Sequence, residues 1–361
     1  MKKLLILAMA VLTSCGPRED AVRLYIGTYT GQGSEGIYAY SFDQNNGKWT
    51  LEGLTPAKNP SFLLLGPDGR TLFATNQNKT PEDGVERFAF DPATGALKSL
   101  DFAGTANIGP CYIATNGSIV LAANYAGGSL DVLPLGADGS LQPCSQSFPG
   151  VASGPHRNQG AAHVHCATFT PDGKYALVSD FSADRIITFR VEGQALALTE
   201  SPYTPVRPGT GPRHIIFNAA GDRVYVIGEL SGEVTVFAYA DGSLETLQVI
   251  RCDDLDAQGS ADIHLSPDGR FLYASNRLQG DGIAIFSVDA ASGLLTRVGY
   301  QFTGVHPRHF ALTPNGKYLL CACMDSNIVQ VFARDAETGL LEDIHNDIPT
   351  NRAAFVLFIE K

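Results

Sequence analysis

The chain has 361 residues, 44% of them apolar and 17% charged, with 38 glycines, 20 prolines and a formal net charge of −11. This is the composition of a folded chain with a full core, and it excludes a collagen-like or disordered polypeptide. The acidic balance argues against nucleic acid as a partner, because phosphate backbones are gripped by surplus Lys and Arg; a locally cationic cleft for a small anion stays open.

The first element is a processing signal. "MKK" supplies the positive start, "LLILAMAVL" the apolar run, and "LTSC" ends it at Cys15. An apolar run this short is a signal core rather than a membrane span. "LTSC" resembles a bacterial lipobox, which would make Cys15 the lipidated first residue of the mature chain; plain cleavage near Ser14 is the alternative. The expected organisation is a signal peptide over 1–15, a short tether over 16–21 and a single domain over 22–361. The protein is then expected in the cell envelope, on the periplasmic or outer side of a bacterial membrane, touching lipid only through this anchor.

From residue 22 onward one pattern repeats. Apolar runs lead into a turn and out again: "LLLGPDGRTLFATN", "CYIATNGSIVLAANY", "ATFTPDGKYALVSD", "IIFNAAGDRVYVIGE", "DIHLSPDGRFLYASN" and "FALTPNGKYLLCAC". The turn glycines are Gly69, Gly117, Gly173, Gly221, Gly269 and Gly316, spaced by 48, 56, 48, 48 and 47 residues. Proline sets φ, Asp or Asn bonds its own backbone and glycine accepts positive φ, which is hairpin chemistry. Each unit continues with a third strand such as "RIITFRV" or "GIAIFSVD", a second turn such as "PATGAL" or "AETGLL", and a short fourth strand. Four antiparallel strands per repeat of this length predict a propeller blade. A β-sandwich would need five near-equal intervals by coincidence.

The ends supply the blade count. The chain opens on second-strand residues, "RLYIGTY", and closes on a first strand, "AAFVLFI". One blade is therefore assembled from both ends, and with six complete blades the expectation is an all-β, seven-bladed β-propeller, closed by its C-terminal strand. The 56-residue interval contains the one irregular insertion, "FPGVASGPHRNQGA" at 148–161, whose glycine, proline and polar content marks a loop. Beyond Cys15 the six cysteines show no zinc spacing; Cys321 and Cys323 share a strand face and cannot easily bridge. Most of the six fit as small buried hydrophobes.

In a blade the start of the first strand and the end of the second lie at the same mouth of the channel. Eight residues before the marker glycine stand Ser61, His165, Arg213, Ala261 and Arg308, with Cys111 as the counterpart in the shorter turn; eight after it stand Gln77, Tyr125, Phe181, Glu229, Arg277 and Met324, with Tyr29 by extrapolation. One rim thus gathers His165, Arg213, Glu229, Arg277 and Arg308 beside Tyr29 and Tyr125. His163 shares a face with His165, and the inserted loop brings His156, Arg157 and Gln159 toward the same rim. Arginine forks suit carboxylate or phosphate, so the expected partner is a small anionic molecule. Each element also has a bland reading: a satisfied strand-end histidine, or a structural Arg213–Glu229 pair. His163-x-His165 shows no third metal ligand, so no metal and no cofactor are expected; His264 is expected to pack inside its blade.

The stretches "AAHVHCATFTPDGKYALVSD", "GPRHIIFN", "ADIHLSPDGRFLYASNR" and "HPRHFALTPNGKYLLCAC" resemble the seven-bladed lactonase family, which contains the propeller-type 6-phosphogluconolactonase and the fungal carboxymuconate cyclase. The likeness runs from "YIGTYT" to the C-terminus. For the cyclase branch it implies a His, an Arg, a Glu and a second Arg at the channel mouth, positions held here by His165, Arg213, Glu229 and Arg277. For the hydrolase branch it implies opening of a sugar δ-lactone to the acid. The expected activity is hydrolysis of an anionic sugar-type lactone. Glu229 or His165 would act as general base and Arg213 would stabilise the oxyanion. Arg277 would bind the carboxylate or phosphate with Arg157 or Arg308, and His163, Gln159, Tyr125 and Tyr29 would shape the substrate site. The leader points outside the cytoplasm, whereas 6-phosphogluconolactone is made inside; this bears on the phosphate rather than on the lactone chemistry. A cycloisomerase of the cyclase type and a non-catalytic ligand-binding propeller are the alternatives.

Overall fold

Turn chemistry repeats in space where it repeats in sequence. Each of the six marker glycines closes a first hairpin at φ between +62° and +87°, a left-handed conformation that costs residues with a Cβ about 1–2 kcal/mol. The Asx bonding is present as well: Asp68 Oδ1 accepts the amides of Arg70 and Thr71, both at 3.0 Å.

The computed structural model describes residues 21–256 and 258–360; Cys15 and the segment expected to be a signal peptide lie outside them. Seven antiparallel sheets form the ring. Blade 1 is ordered Ala353–Ile359, Ala21–Thr28, Gly36–Asp43, Trp49–Pro56 from the axis outward. Blade 2 runs from Leu63–Leu65 to Leu97–Gly104, blade 3 from Pro110–Thr115 to Gln146–Pro149, and blade 4 from Val164–Phe169 to Ala195–Pro205. Blade 5 runs from Pro212–Phe217 to Ser243–Arg251, blade 6 from Ile263–Leu265 to Leu295–Phe302, and blade 7 from Pro307–Leu312 to Leu341–Asp343. In blade 7 the outer edge is split, and Ile348–Pro349 makes a second pairing with the third strand. The ring closes as the sequence implied: Ile26 pairs with Val356 and Tyr25 with Leu357 across an antiparallel ladder.

The core lies between blades. Second strands such as Phe271–Asn276 are buried along their whole length, while outer strands such as Trp49–Pro56 are mostly exposed. Apolar contacts run from one blade to the next, as where Tyr225 and Val234 of blade 5 meet Leu272 and Phe286 of blade 6. A polar staple recurs at these seams. The hydroxyls of Tyr25, Tyr225 and Tyr273 donate to the carbonyls of Gly95, Gly293 and Gly339 in the outer hairpin of the following blade, at 2.6–2.9 Å. None of the six cysteines among the described residues forms a disulfide, and all but Cys144 are buried. No helix among these residues is long and apolar enough to cross a membrane.

Candidate active site

The first strands begin with a shared irregularity. Val164 pairs with Asp180 and Cys166 with Ser179, so His165 is an extra residue in its strand. Arg308 is likewise extra between Pro307 and His309, and Cys111 between Pro110 and Tyr112. In blade 5 the register slips between Pro212 and Ile215, across Arg213 and His214. A β-bulge re-aims one side chain that a regular ladder would commit to an alternating face. Four blades use it at the same height, and the residues it re-aims are those of the first register.

At the centre of the rim Glu229 Oε2 joins two guanidiniums, Arg213 Nε at 2.9 Å and Arg277 Nη2 at 3.0 Å. Arg213 is 2% exposed and also donates to the carbonyl of Ala261 in the next blade. Arg277 donates to the carbonyls of Gly259 (2.7 Å) and Ser260 (3.4 Å). Burial alone would raise the Glu229 pKa, but Arg277, Arg213 and Arg308 outweigh it and hold the carboxyl below its ordinary range. Burial, with Arg277 beside it, lowers Arg213 to about 10, so the residue stays cationic at neutral pH. Arg308 is half-buried and lies over the Tyr29 ring, with its guanidinium carbon 5.2 Å from the centroid. Three cations thus face one carboxylate.

His165 is buried, with Cys111 Sγ 3.8 Å from its Nδ1. Its ring lies 5.4 Å from Tyr125 and 5.3 Å from His214. Burial first, then Arg213, His214, Arg308 and Arg277, push its pKa well below the usual imidazole value. His165 is therefore a neutral base at working pH. His163 donates from Nδ1 to the Tyr125 carbonyl at 2.6 Å and stacks on the Tyr125 ring at 4.2 Å, forming a wall. Across the ring the Tyr29 and Ser61 hydroxyls both donate to Gln77 Oε1, at 2.7 and 2.6 Å.

One reading of the inserted loop needs correction. Gln159 is not free to meet a ligand. Its amide nitrogen donates to the Phe181 carbonyl (3.0 Å) and Asp184 Oδ1 (2.8 Å), and its oxygen accepts the His156 amide (3.0 Å). It is a buried staple for the loop. Arg157 stands exposed on the short 3₁₀ turn Arg157–Gln159, while the guanidiniums that weigh most on Glu229 are Arg277, Arg213 and Arg308.

One feature escaped the sequence. Asp262, at the head of blade 6, accepts four N–H donors. His214 Nδ1 (2.8 Å) and the Ile263 amide (3.0 Å) reach Oδ1; His264 Nε2 (2.9 Å) and the Phe310 amide (3.1 Å) reach Oδ2, and His309 Nε2 stands 3.3 Å from the same oxygen. His264 is half-buried on the channel side rather than packed within its blade, and with His309 and Phe355 it lines a cavity of about 390 Å³. Asp262, His264 and His309 can each offer one ligand atom, all within 4.8 Å of one another. Both carboxylate oxygens are already occupied, however, and the Val356 amide donates into His309 Nδ1 (3.2 Å), which puts the proton on Nε2. The cluster is thus organised as a hydrogen-bonded hub linking blades 5, 6 and 7. A larger surface groove of about 620 Å³ elsewhere is lined by Glu35, Glu82 and Glu86 against the single cation Lys58, a balance that disfavours an anion.

Comparison with known proteins agrees with this architecture. The family model described as "Lactonase, 7-bladed beta-propeller" matches residues 23–358. A protein of Formosa agariphila named 6-phosphogluconolactonase is 33% identical, over 91% of this chain and 97% of its own length. A Bacillus subtilis protein of the same name is 34% identical, over 93% and 98%. Among solved structures, a Bacteroides fragilis protein superposes with a TM-score of 0.93 at 44% identity, covering 96% of this chain and 99% of that one. The periplasmic gluconolactonase PpgL of Pseudomonas aeruginosa superposes with a TM-score of 0.90 at 35% identity, covering 94% and 99%. The chain belongs to the seven-bladed β-propeller lactonase family and is a lactone-hydrolysing enzyme.

Proposed function

We propose that the protein opens an anionic sugar-type lactone to its acid at the mouth formed by His165, Arg213, Glu229, Arg277 and Arg308. The observation that carries this reading is the shared carboxylate: Glu229 holds two buried arginines at fixed spacing, and the third, Arg308, lies over the Tyr29 ring. Arg308, with Arg277, is suited to the substrate's carboxylate or phosphate.

Sequence reading left two candidates for the base. The carboxylate oxygen of Glu229 is already engaged by two guanidiniums, so Glu229 serves better as the clamp and the neutral imidazole of His165 as the base. Water adds to the lactone carbonyl carbon as His165 takes its proton. Arg213 stabilises the oxyanion. Collapse breaks the ring C–O bond, and the departing alkoxide takes the proton back from His165. The incoming anion offsets the cations around His165 and so strengthens it as a base.

The test is hydrolysis of 6-phosphoglucono-δ-lactone and glucono-δ-lactone by Arg213→Ala and Glu229→Gln. Loss of one oxyanion donor lowers kcat by about 10²–10³-fold; unchanged kcat in both variants overturns the assignment. The leader and its lipobox support a position outside the cytoplasm with Cys15 as the lipid anchor, and the Pseudomonas relative carries a periplasmic name. In the same preparations Cys15→Ser should move the protein from the membrane to the soluble fraction, and unchanged membrane association would refute the anchor.

A further inference from the structure

Each arginine of the Glu229 clamp is met from behind by a histidine, and each histidine by an aspartate. Arg213 Nη1 lies 3.2 Å from His214 Nε2, and His214 Nδ1 lies 2.8 Å from Asp262 Oδ1. Arg277 Nη1 lies 3.3 Å from His306 Nε2, and His306 Nδ1 lies 3.1 Å from Asp325 Oδ2. A guanidinium can only donate, so both Nε2 atoms accept and both Nδ1 atoms carry the proton toward the aspartates. The two chains converge on one carboxylate from blades 5 and 6 on one side and blades 6 and 7 on the other.

The second chain comes with a strained backbone. His306 lies in the left-handed region at φ +63°, a conformation that persists in a non-glycine residue only where its surroundings over-determine it. Here the His306 amide donates to Asp281 Oδ1 at 2.7 Å and its carbonyl accepts the Met324 amide at 3.0 Å. Asp325 is itself held by Arg352. The loop before blade 7 is bent so that one imidazole faces the far side of Arg277.

We infer that the pairs Asp262–His214 and Asp325–His306 are positioning residues that set the guanidinium planes of Arg213 and Arg277. This rests on the roles given to those arginines above. It divides the effects between the two sides. His214 acts through the oxyanion arginine, so its loss falls on kcat. His306 acts through the anion-binding arginine, so its loss falls on KM.

The experiment measures kcat and KM of the full chain on 6-phosphoglucono-δ-lactone for His214→Ala, His214→Gln, His306→Ala and His306→Gln beside Arg213→Ala and Arg277→Ala. His214→Ala is expected to lower kcat about ten-fold, and His306→Ala to raise KM about ten-fold, the scale of one hydrogen bond to a charged group. Glutamine, whose amide oxygen can accept from an arginine, restores most of each loss. If the arginine variants are impaired while both alanine variants keep wild-type constants, the positioning role is refuted and the lactonase site stands. If the arginine variants themselves keep wild-type constants, the site assignment fails and this inference with it. Equal impairment of alanine and glutamine, with equal losses in Tm, shows a purely structural role and also refutes it. Should the buried His214 variants fail to fold, the loop residue His306 decides the question alone.

Discussion

At the scale of single residues, the site combines groups whose charge states are pinned. Burial and four neighbouring cationic or imidazole side chains keep His165 neutral far below the ordinary imidazole pKa, so a base mechanism through His165 has an unusual acid limb. With glucono-δ-lactone as probe, chosen because it carries no titrating group, kcat/KM should stay level as pH falls from 7.5 through 6.5, the ordinary histidine value. A half-loss centred near 6.5 would show an unperturbed base and remove His165 from the role. His165, Arg213, Glu229 and Arg277 were legible because they recur at fixed distances from the marker glycines. His214, Asp262, His306 and His309 were not. They stand beside the register positions, where strand alternation would send a side chain into the blade. The bulges and the left-handed turn at His306 overrule that alternation, and neither has a local sequence signal. Gln159 misled for a different reason: a polar loop shows that it is a loop, but not which side chains fold back into it.

At the scale of the element, the hairpins carry the repeat. Their glycines share one conformation but not one environment. A Cβ at Gly173 (φ +70°) would meet nothing within 4 Å, whereas one at Gly339 (φ +74°) would sit 2.3 Å from Phe271 Cδ1. Gly173→Ala therefore carries only the backbone cost, about 1–2 kcal/mol. Gly339→Ala adds a clash at a seam where the Tyr273 hydroxyl must still reach the Gly339 carbonyl. Denaturant unfolding should rank Gly339→Ala clearly below Gly173→Ala, and equal losses would show that the seam yields freely. The strand order and the shared closing blade followed from turn spacing alone, because hairpin chemistry is local. The split outer edge of blade 7 depends on pairing at a distance and left no such mark.

At the scale of the molecule, the buried imidazoles tie stability to pH. His165, His214, His306 and His309 are all held below the ordinary value; burial, with Arg213 next, takes His214 to about 4, and burial, with Arg277 and Arg308, takes His306 to about 4. Unfolding releases them to protonate near 6.5, so their contribution is present above that pH and is lost as pH falls toward about 4. His264 has the opposite sign. Asp262 outweighs its burial and raises its pKa, so its contribution is full below the unfolded value and lost as pH rises through the folded one. Four groups oppose one, and Tm should fall steadily between pH 7 and pH 4.5; a flat profile across that window would contradict the buried neutral assignment.

The closing strand Ala353–Ile359 does more than clasp two ends of a ring. Its Val356 amide donates to His309 Nδ1, His309 Nε2 stands 3.3 Å from Asp262, and Asp262 in turn accepts from His214 behind Arg213. The strand that closes the ring therefore also borders the group of side chains behind Arg213. A chain clipped before Ala353 would lose the ring-closing ladder and the donor to His309 together, so damage to the scaffold and weakened support for Arg213 would arise from one cut.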